Sequence, residues 1–540
     1  MNSYFYRANS HFPIMKPLLV TLICVFTYSF FAQNTLVSQG TNFEGEPYLA
    51  VNPQNQQHLV ASWMGFQVGN KVVIKTSISL NGGLLWSTPT WQPHVVSTYS
   101  SADVSVKFDR NGNLFMSYID YDNVNHLEGK VIVRKSTDGG STWGNAVEVL
   151  SLLDCPNKLC LDRPWMVIDC SGGNLDGTIY ITNMNANKPT LVTAPYNPYV
   201  TVSADNGSSF APPRYLDTLN FLAGSTVSQP MPSPVVSSNG KFYAIYPSYL
   251  PSQSPFPRMI LASSTSAGAD MNHQIAYQGV NAGLSNNTTN SLLKSGYLLR
   301  GNPNDANHLA FFFLSDSDGD ADIKMMETVN AGSSWSAIKR INQDPIANDK
   351  LQDLVWADFD TDGDLVVCWR DRRNASGSTY GVPTEIFCAV RKNDMTDFEQ
   401  DFGITSLQVN HNIILDDSGN DFMNVALQND TAYAIWGDVR SGTLKIYLNK
   451  WNINGQSSSL HEIYSQNEEI LYPNPTNSSI TLPLSAVNSE YYLYNLNGKI
   501  IEKGILSSQI YDCQNHVSGN YFFKIVGQQG VTVYKLQVKH

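Results

Sequence analysis

The sequence has few charged residues for its length and lacks the motifs of several common enzyme classes. Lysine, arginine, aspartate and glutamate make up 15% of its 540 residues, and the formal net charge is −12. An acidic chain of this kind is not expected to bind nucleic acid. It contains no glycine-rich phosphate loop, no serine nucleophile elbow and no cysteine–histidine spacing typical of zinc. Nucleotide-dependent, α/β-hydrolase and zinc-dependent activities are therefore not predicted.

Long apolar runs are also scarce, and the one that occurs lies near the N-terminus. It extends from about Leu18 to Phe31 and follows Lys16. At about 14 residues it is shorter than the roughly 20 needed to span a bilayer. This pattern predicts a secretory signal peptide over residues 1–33. Many glycines, prolines and aromatic residues in the rest of the chain favour an all-β exported protein.

A tight turn with its own hydrogen-bonding groups recurs along the chain. From Ser136 to Trp143 the sequence reads Ser-Thr-Asp-Gly-Gly-Ser-Thr-Trp, and the preceding residues alternate with the period of a strand. Asp138 can accept hydrogen bonds from nearby backbone N–H groups, and the glycines permit positive φ. The pattern Ser/Thr-x-Asp/Asn-x-Gly-x-x-aromatic occurs at three further places, with its third position at Asn81, Asp205 and Asn330.

This turn resembles the Asp box, or BNR repeat, of the sialidase-like β-propellers. In that family the box locks the turn between the two outer strands of a blade. The resemblance therefore implies structural roles for Asn81, Asp138, Asp205 and Asn330. Segments that begin at Ser264 and Arg391 occupy the expected positions of two further boxes and look like decayed copies.

A strand–turn–strand pattern precedes each of these turns. About seven copies occur at a mean spacing of about 62 residues, the first at residues 48–63 and the last at residues 422–436. We therefore predict an all-β fold with a β-propeller of about seven four-stranded blades over residues 43–455. Six blades, the number in the resembled sialidases, are the alternative.

The composition changes after Trp451. Residues 456–469 are polar and predict a linker, and the alternation in residues 470–540 predicts a small β-sandwich. The motifs from Leu471 to Asn477 and from Ser518 to Ile525 closely resemble the type A C-terminal sorting domain of the type IX secretion system in Bacteroidota. The resemblance implies that this machinery carries the chain across the outer membrane, for release or display at the cell surface. A generic adhesive β-module is the alternative.

Carboxylates and arginines are predicted to converge on the propeller face opposite the Asp boxes. In sialidase-like propellers this face binds the substrate. The candidates follow second strands or lie at the start of inner strands: Glu46, Asp103, Asp120, Asp162, Arg163, Asp353, Asp371, Arg373, Asp421, Asp438 and Arg440. Such a ring could clamp an acidic sugar or hold an acid/base pair.

The candidates differ in how specific they are. Asp371 with Arg373, and Asp438 with Arg440, belong to a motif that repeats in two blades, so they could instead be salt bridges that hold the packing. Arg163 does not repeat, which makes it the stronger functional candidate. The Arg-Ile-Pro motif of the sialidases is absent, and no Tyr/Glu pair can be assigned. The catalytic residues are therefore not predicted.

Calcium and disulfides are the other candidate features. Asp316, Asp318, Asp320 and Asp322 alternate in a second-to-third loop and would repel one another without a cation, which predicts a Ca²⁺ site. No other cofactor is predicted. Two cysteine pairs could form disulfides in an oxidising compartment, with free thiols as the alternative. These pairs are Cys368 with Cys388 and Cys155 with Cys160.

The sequence thus predicts a monomeric, exported propeller that engages glycans on the face opposite its Asp boxes, with exo-glycosidase activity as one form of that engagement. A non-catalytic adhesion propeller that binds proteins is the rival hypothesis. An enzyme needs a pocket with an acid/base pair, whereas an adhesin presents a broad and shallow surface.

Overall fold

The computed structural model describes residues 34–40, 43–67, 71–188, 190–279, 293–294, 296–410, 420–454, 471–495, 499–527 and 530–540. The predicted signal peptide and linker lie outside these residues. The chain divides into two compact units, Met1–Gly455 and Gln456–His540. In the part of the chain that is described, no helix is long and apolar enough to cross a membrane.

The first unit is built from strands. In chain order they are β1 Thr35–Leu36, β2 Glu44–Asn52, β3 Asn55–Gln67, β4 Lys71–Ser79, β5 Thr90–Trp91, β6 Ser100–Phe108, β7 Leu114–Tyr121, β8 Gly129–Ser136, β9 Val147–Ser151, β10 Asp162–Ile168, β11 Ile179–Met184, β12 Tyr199–Ser203, β13 Arg214–Tyr215, β14 Ser233–Val236, β15 Phe242–Ser248, β16 Arg258–Ser264, β17 Asn272–Gln278, β18 Tyr297–Gly301, β19 Leu309–Ser315, β20 Asp322–Thr328, β21 Lys339–Arg340, β22 Gln352–Phe359, β23 Leu365–Asp371, β24 Glu385–Arg391, β25 Phe402–Gly403, β26 Asn424–Gln428, β27 Thr431–Asp438 and β28 Lys445–Asn452. A 3-10 helix at Leu152–Asp154 connects β9 to β10.

These strands form seven four-stranded antiparallel sheets, which are the blades of a propeller. Blades 1 to 6 each use four consecutive strands, starting with β2, β6, β10, β14, β18 and β22. Blade 7 contains β26, β27 and β28, and its outer position is filled by β1 from the N-terminal end of the unit. The prediction of about seven blades is confirmed, and the alternative of six is wrong. Strand β1 precedes the predicted start at residue 43, because two residues carry no periodic signal.

The middle strands of the blades form the core. Every residue of β15, β19 and β23 is buried, because each sheet is packed between two others. Strands buried on both faces are expected to be apolar almost throughout instead of alternating. The largest fully buried side chains include Trp63, Trp356, Trp369 and Trp436.

The recurring turn lies between the third and fourth strands of its blade and is closed by its own side chains. Ser136 Oγ donates to Asp138 Oδ1 at 2.8 Å, and Gly140 N donates to Ser136 Oγ at 2.8 Å. Asp138 Oδ1 also accepts from Thr142 N at 2.9 Å. The same 2.9 Å bond from the backbone N–H four residues on is made by Asn81, Asp205 and Asn330. The four defined positions of the pattern thus correspond to one local structure.

The acidic and amide versions of this turn should respond differently to pH. The hydroxyl of Ser209, and then its backbone N–H, lower the pKa of Asp205 to about 2. A carboxyl with a lowered pKa stabilises the fold above the ordinary pKa of about 4, and the contribution is lost as the pH falls towards 2. We expect Asp205→Ala to lower the free energy of unfolding by about 1 kcal/mol at pH 7 and by less at pH 3. Denaturant titrations at both pH values measure this.

Asn330→Ala is the matched control, because Asn330 makes the equivalent bond to Ser334 N but does not titrate. Its cost should be similar at pH 7 and unchanged at pH 3. If both variants lost the same stability at both pH values, ionisation of Asp205 would not contribute to the turn.

Both predicted disulfides are present. Cys368 and Cys388 face each other directly across β23 and β24 of blade 6, and Cys155 is joined to Cys160 in the link between blades 2 and 3. Removing a native disulfide typically costs about 2–4 kcal/mol. We expect Cys368→Ala with Cys388→Ala to lose stability in that range in denaturant titrations, whereas Cys170→Ala, which removes a free and exposed thiol, should lose less than about 0.5 kcal/mol. Equal losses would contradict the pairing.

The second unit is a small all-β module. Its strands are β29 Ser479–Thr481, β30 Glu490–Asn495, β31 Ile500–Ile505, β32 Ile510–Asp512, β33 Gly519–Gly527 and β34 Gly530–Val538, with a 3-10 helix at Leu484–Ala486. One sheet has the order β31-β30-β33-β34, and the other pairs β29 with β32. The core between them includes Leu493, Phe523 and Leu536.

Candidate functional site at the axial end of the propeller

Four inner strands contain the same irregularity near their starts. The register of β2, β6, β10 and β22 with the next strand shifts at this position, which marks a β-bulge. The bulge residues Glu46, Asp103, Arg163 and Leu354 have φ values of 53°, 53°, 49° and 60°. Such conformations cost about 1–3 kcal/mol for residues other than glycine. The bulges lie at the strand ends opposite the Asp-box turns, since strands alternate in direction.

Three of these bulges bring charged side chains together. We name as the axial cluster six residues from five blades or the links before them: Glu46, Asp103, Asp162, Arg163, Lys294 and Asp421. Arg163 Nη2 lies 3.1 Å from Asp421 Oδ2, and Lys294 Nζ lies 2.9 Å from Asp421 Oδ1. The side chains of Arg163, Lys294 and Asp421 are 18%, 23% and 26% exposed. Water therefore reaches this ionic trio.

Three further carboxyls interact with the trio. Asp103 Oδ2 accepts a hydrogen bond from Arg163 N at 3.1 Å, and Asp162 Oδ2 accepts one from Gln229 Nε2 at 2.8 Å. Glu46 is only 3% exposed. The negative charge of Asp103 acts on both Glu46 and Asp162. Three neighbouring carboxyls cannot all be ionised at low cost.

The environment separates the pKa values of these groups. Burial, with the negative charges of Asp103 and Asp421, raises the pKa of Glu46 well above its usual range. Burial and the charge of Asp103 likewise raise the pKa of Asp162. Burial opposes the ionisation of Asp421, but Arg163 and Lys294 outweigh it and lower the Asp421 pKa. The cluster thus combines two carboxyls that hold their protons more strongly than usual with one that loses its proton more readily.

A second ionic cluster adjoins the first. Asp353 Oδ1 accepts from Arg370 Nε at 2.8 Å and from Arg372 Nη1 at 3.1 Å. Tyr380 Oη accepts from Arg370 Nη2 at 3.1 Å, and the Arg372 guanidinium lies 4.6 Å from the centre of the Tyr380 ring. Lys294 N donates to Asp353 Oδ2 at 3.0 Å, so Lys294 contacts both clusters. This second cluster is buried and holds Lys294 next to the axial cluster.

The other predicted ligand-face residues make different contacts. Asp371 Oδ2 accepts from Trp369 Nε1 at 2.7 Å and from Arg373 Nη2 at 2.7 Å. Arg373 also reaches Asp401 at 2.8 Å and lies over the ring of Phe387. Asp438 and Arg440 repeat this arrangement with Trp436 and Tyr447. The two Asp–Arg pairs brace their own blades and do not join the axial cluster.

Asp120 is likewise held by a local network. Its carboxylate accepts from Val95 N at 2.6 Å and from Ser101 Oγ at 2.9 Å, and it lies 2.7 Å from His94 Nδ1. Asp120 is fully buried, and these contacts fix the link between blades 1 and 2.

The residues that the sequence did not reveal are Lys294, Arg370 and Arg372. Arg370 and Arg372 alternate with the predicted Asp371 and Arg373, so they point to the other face of the chain. The sequence could nevertheless have pointed to these two arginines, because the related motif in blade 7 has Gly437 at the position of Arg370 and valine at the position of Arg372. Lys294 lies in a link between blades, where no pattern identifies it.

The predicted calcium loop contains its own cations. Lys324 Nζ contacts Asp318 and lies 3.1 Å from Asp322 Oδ2, and Arg340 Nε lies 2.7 Å from Asp322 Oδ1. Asp320 Oδ2 accepts from the backbone N–H of Lys350 at 2.9 Å. The four carboxylates therefore do not converge on one point, and Ca²⁺ binding by Asp316 and its neighbours stays a prediction.

Comparison with known proteins supports the architecture. Residues 470–539 match the secretion system C-terminal sorting domain family. A search of curated protein sequences gave no match. The chain is therefore an all-β propeller protein with a C-terminal sorting domain, and type IX secretion delivers it to the cell surface or the medium.

Similar solved structures include sialidase and arabinanase propellers. A protein of unknown function from Dyadobacter fermentans is 13% identical, with 66% of this chain and 96% of that chain covered and a TM-score of 0.39. The NanB sialidase of Streptococcus pneumoniae is 14% identical, with coverages of 78% and 70% and a TM-score of 0.41. The Penicillium chrysogenum α-L-arabinanase is 10% identical, with coverages of 78% and 98% and a TM-score of 0.43. Similarity of this size does not identify a reaction.

Proposed function

We propose that the propeller binds glycans at the axial cluster and hydrolyses a terminal glycosidic bond there. The proposal rests on the convergence of carboxyls from several blades beside the partly exposed Arg163, Lys294 and Asp421, where burial and neighbouring charges raise some carboxyl pKa values and lower another. The pKa values of Glu46 and Asp162 are raised, and that of Asp421 is lowered. Glycosidases use such a separation, because one carboxyl must donate a proton while another acts as base or nucleophile.

Each residue of the cluster has a role that its environment supports. Glu46, kept protonated by burial, serves as the general acid that protonates the leaving oxygen as the glycosidic bond breaks. The ionised Asp421 serves as the general base that takes a proton from the water that adds to the anomeric carbon. Arg163 and Lys294 supply donors for sugar hydroxyls or a sugar carboxylate. Because blades surround the axis on all sides, the site suits the end of a glycan better than its middle.

A tyrosine nucleophile has less support. Burial raises the pKa of Tyr121, and the neighbouring Asp103 and Asp162 raise it further. Burial also raises the pKa of Tyr380 beside Arg370. A tyrosine that attacks a sugar needs the opposite shift, since the phenolate is the nucleophile. Chemistry at the carboxyls is therefore the better-supported mechanism.

Hydrolysis of a panel of fluorogenic glycosides by the purified, full-length protein tests the proposal. The panel should include a sialoside and arabinosides, each with calcium and with a chelator, and a glycan array should follow. We expect turnover of at least one substrate, independent of calcium. Neither turnover nor binding to any glycan would overturn the proposal and leave the adhesion hypothesis, with a protein partner.

A further inference from the structure

One face of the C-terminal sheet carries a positive and aromatic surface. Residues directly opposite one another in an antiparallel sheet share a face. Lys503, Tyr492 and Lys524 form one such row across β31, β30 and β33, and Tyr494, Phe522 and Lys535 form the next across β30, β33 and β34. We name these six residues the lysine–tyrosine face.

The face is open, and its charge contrasts with the rest of the chain. Lys503 and Lys535 are exposed, and the other four side chains are half-buried, whereas the alternate residues Leu493, Phe523 and Leu536 are buried in the module core. Residues 471–540 contain five lysines, no arginine and three acidic residues, a formal charge of +2 in a chain of −12. The module is therefore net positive because it holds few acidic residues, whereas the rest of the chain is net acidic.

The acidic residues of the module leave the face largely uncompensated. Glu502 faces the core side, opposite Leu493, where its carboxylate contacts Tyr491 Oη at 2.5 Å and His516 Nε2 at 3.3 Å. Glu490 alone shares the face and accepts from Tyr492 Oη at 3.0 Å. Lys524 Nζ lies 5.9 Å from the centre of the Tyr492 ring, a cation–π contact at the middle of the face.

We propose that the secretion machinery binds the sorting domain through the lysine–tyrosine face. The component of the machinery that binds there presents an acidic protein surface. A sorting domain has to be recognised by its secretion system, and this module offers a patterned face of aromatic residues ringed by lysines. Aromatic residues at the centre of an interface supply contact area, and complementary charges guide association. Three lysines against one glutamate specify a partner of negative charge.

Export of the full-length chain from a bacterium with type IX secretion tests this proposal. We expect Lys524→Glu with Lys535→Glu to lower the exported fraction at least about tenfold, with the protein retained in the periplasm. Lys107→Glu with Lys188→Glu makes the same change in net charge on exposed lysines of the propeller and should leave export unchanged. Lys524→Arg with Lys535→Arg keeps the charge and should be exported normally.

Folding and self-association are separated by measurements on the same proteins. The retained variant should keep the circular dichroism spectrum and midpoint of unfolding of the parent chain, which excludes a folding defect. Normal export of the doubly reversed variant would overturn the proposal. So would a purified parent chain that sediments as a dimer while the reversed variant is a monomer, because the face would then bind a second copy. Neither the test nor its outcome depends on glycan hydrolysis.

Discussion

Glu46→Gln should reduce glycoside turnover at neutral pH at least about a hundredfold, the usual contribution of a general acid. Glutamine keeps the size of the side chain but has no proton to transfer. The pKa of Glu46 is raised chiefly by burial, so the parent protein should lose kcat/KM as the pH rises through that pKa. The variant should lack this limb of the pH profile.

Glu385→Gln is the matched control. Glu385 lies in blade 6, at the same end of the propeller as Glu46. Its carboxylate accepts hydrogen bonds from Asn374 and Gln408 and does not belong to the axial cluster. Its variant should keep at least about half of the parent activity, since it removes no group that we place at the substrate. A Glu46→Gln enzyme that retained both full activity and an unchanged pH profile would show that Glu46 is not the acid.

Asp353→Ala should lower the free energy of unfolding by about 3–5 kcal/mol at pH 7, because it leaves Arg370 and Arg372 buried without their carboxylate. Burial works against the ionised form of Asp353, but the two guanidinium groups outweigh it and hold the Asp353 pKa far below its usual value. The contribution is therefore complete above about pH 4 and decreases as the pH falls below that. Denaturant titrations between pH 3 and pH 7 measure both effects.

Two further variants identify the cause of that loss. Asp397→Ala removes a carboxylate that is 76% exposed and paired with Lys339, so it should cost far less stability than Asp353→Ala. Asp353→Leu combined with Arg370→Met and Arg372→Met removes all three charges and should recover most of the stability. Failure of the triple variant to recover, with the fold intact, would mean that the loss comes from packing and not from unpaired charge.

The repeats in the sequence were sufficient to predict the propeller. The Asp-box pattern placed a turn between the third and fourth strands, and the strand–turn–strand spacing gave seven blades. The closing strand at Thr35–Leu36 could not be predicted, because its place in blade 7 depends on pairing with Tyr447 and Leu448, more than 400 residues away. A contact of that range leaves no trace in local periodicity.

The candidate site was predicted in part, for a reason that lies in the backbone. Glu46, Asp103 and Arg163 were identified because they begin inner strands, and the bulges there aim their side chains into one cluster. The motif that carries the pairs Asp371–Arg373 and Asp438–Arg440 forms local salt bridges, which is the alternative that its repetition in two blades suggested. Arg370 and Arg372 were the informative residues, since they depart from the repeat while facing Asp353.

Turnover by the Arg163→Gln protein, compared with the parent chain on the best glycoside of the panel, tests the central claim most directly. Arg163 holds Asp421 at the accessible end of the cluster, and Arg440→Gln provides a control in which an arginine paired with Asp438 is changed on the same face. If the axial cluster is the catalytic site, we expect turnover to fall at least about a hundredfold in Arg163→Gln and less than about threefold in Arg440→Gln. Equal activity in all three proteins would contradict the account and place the function of the propeller elsewhere.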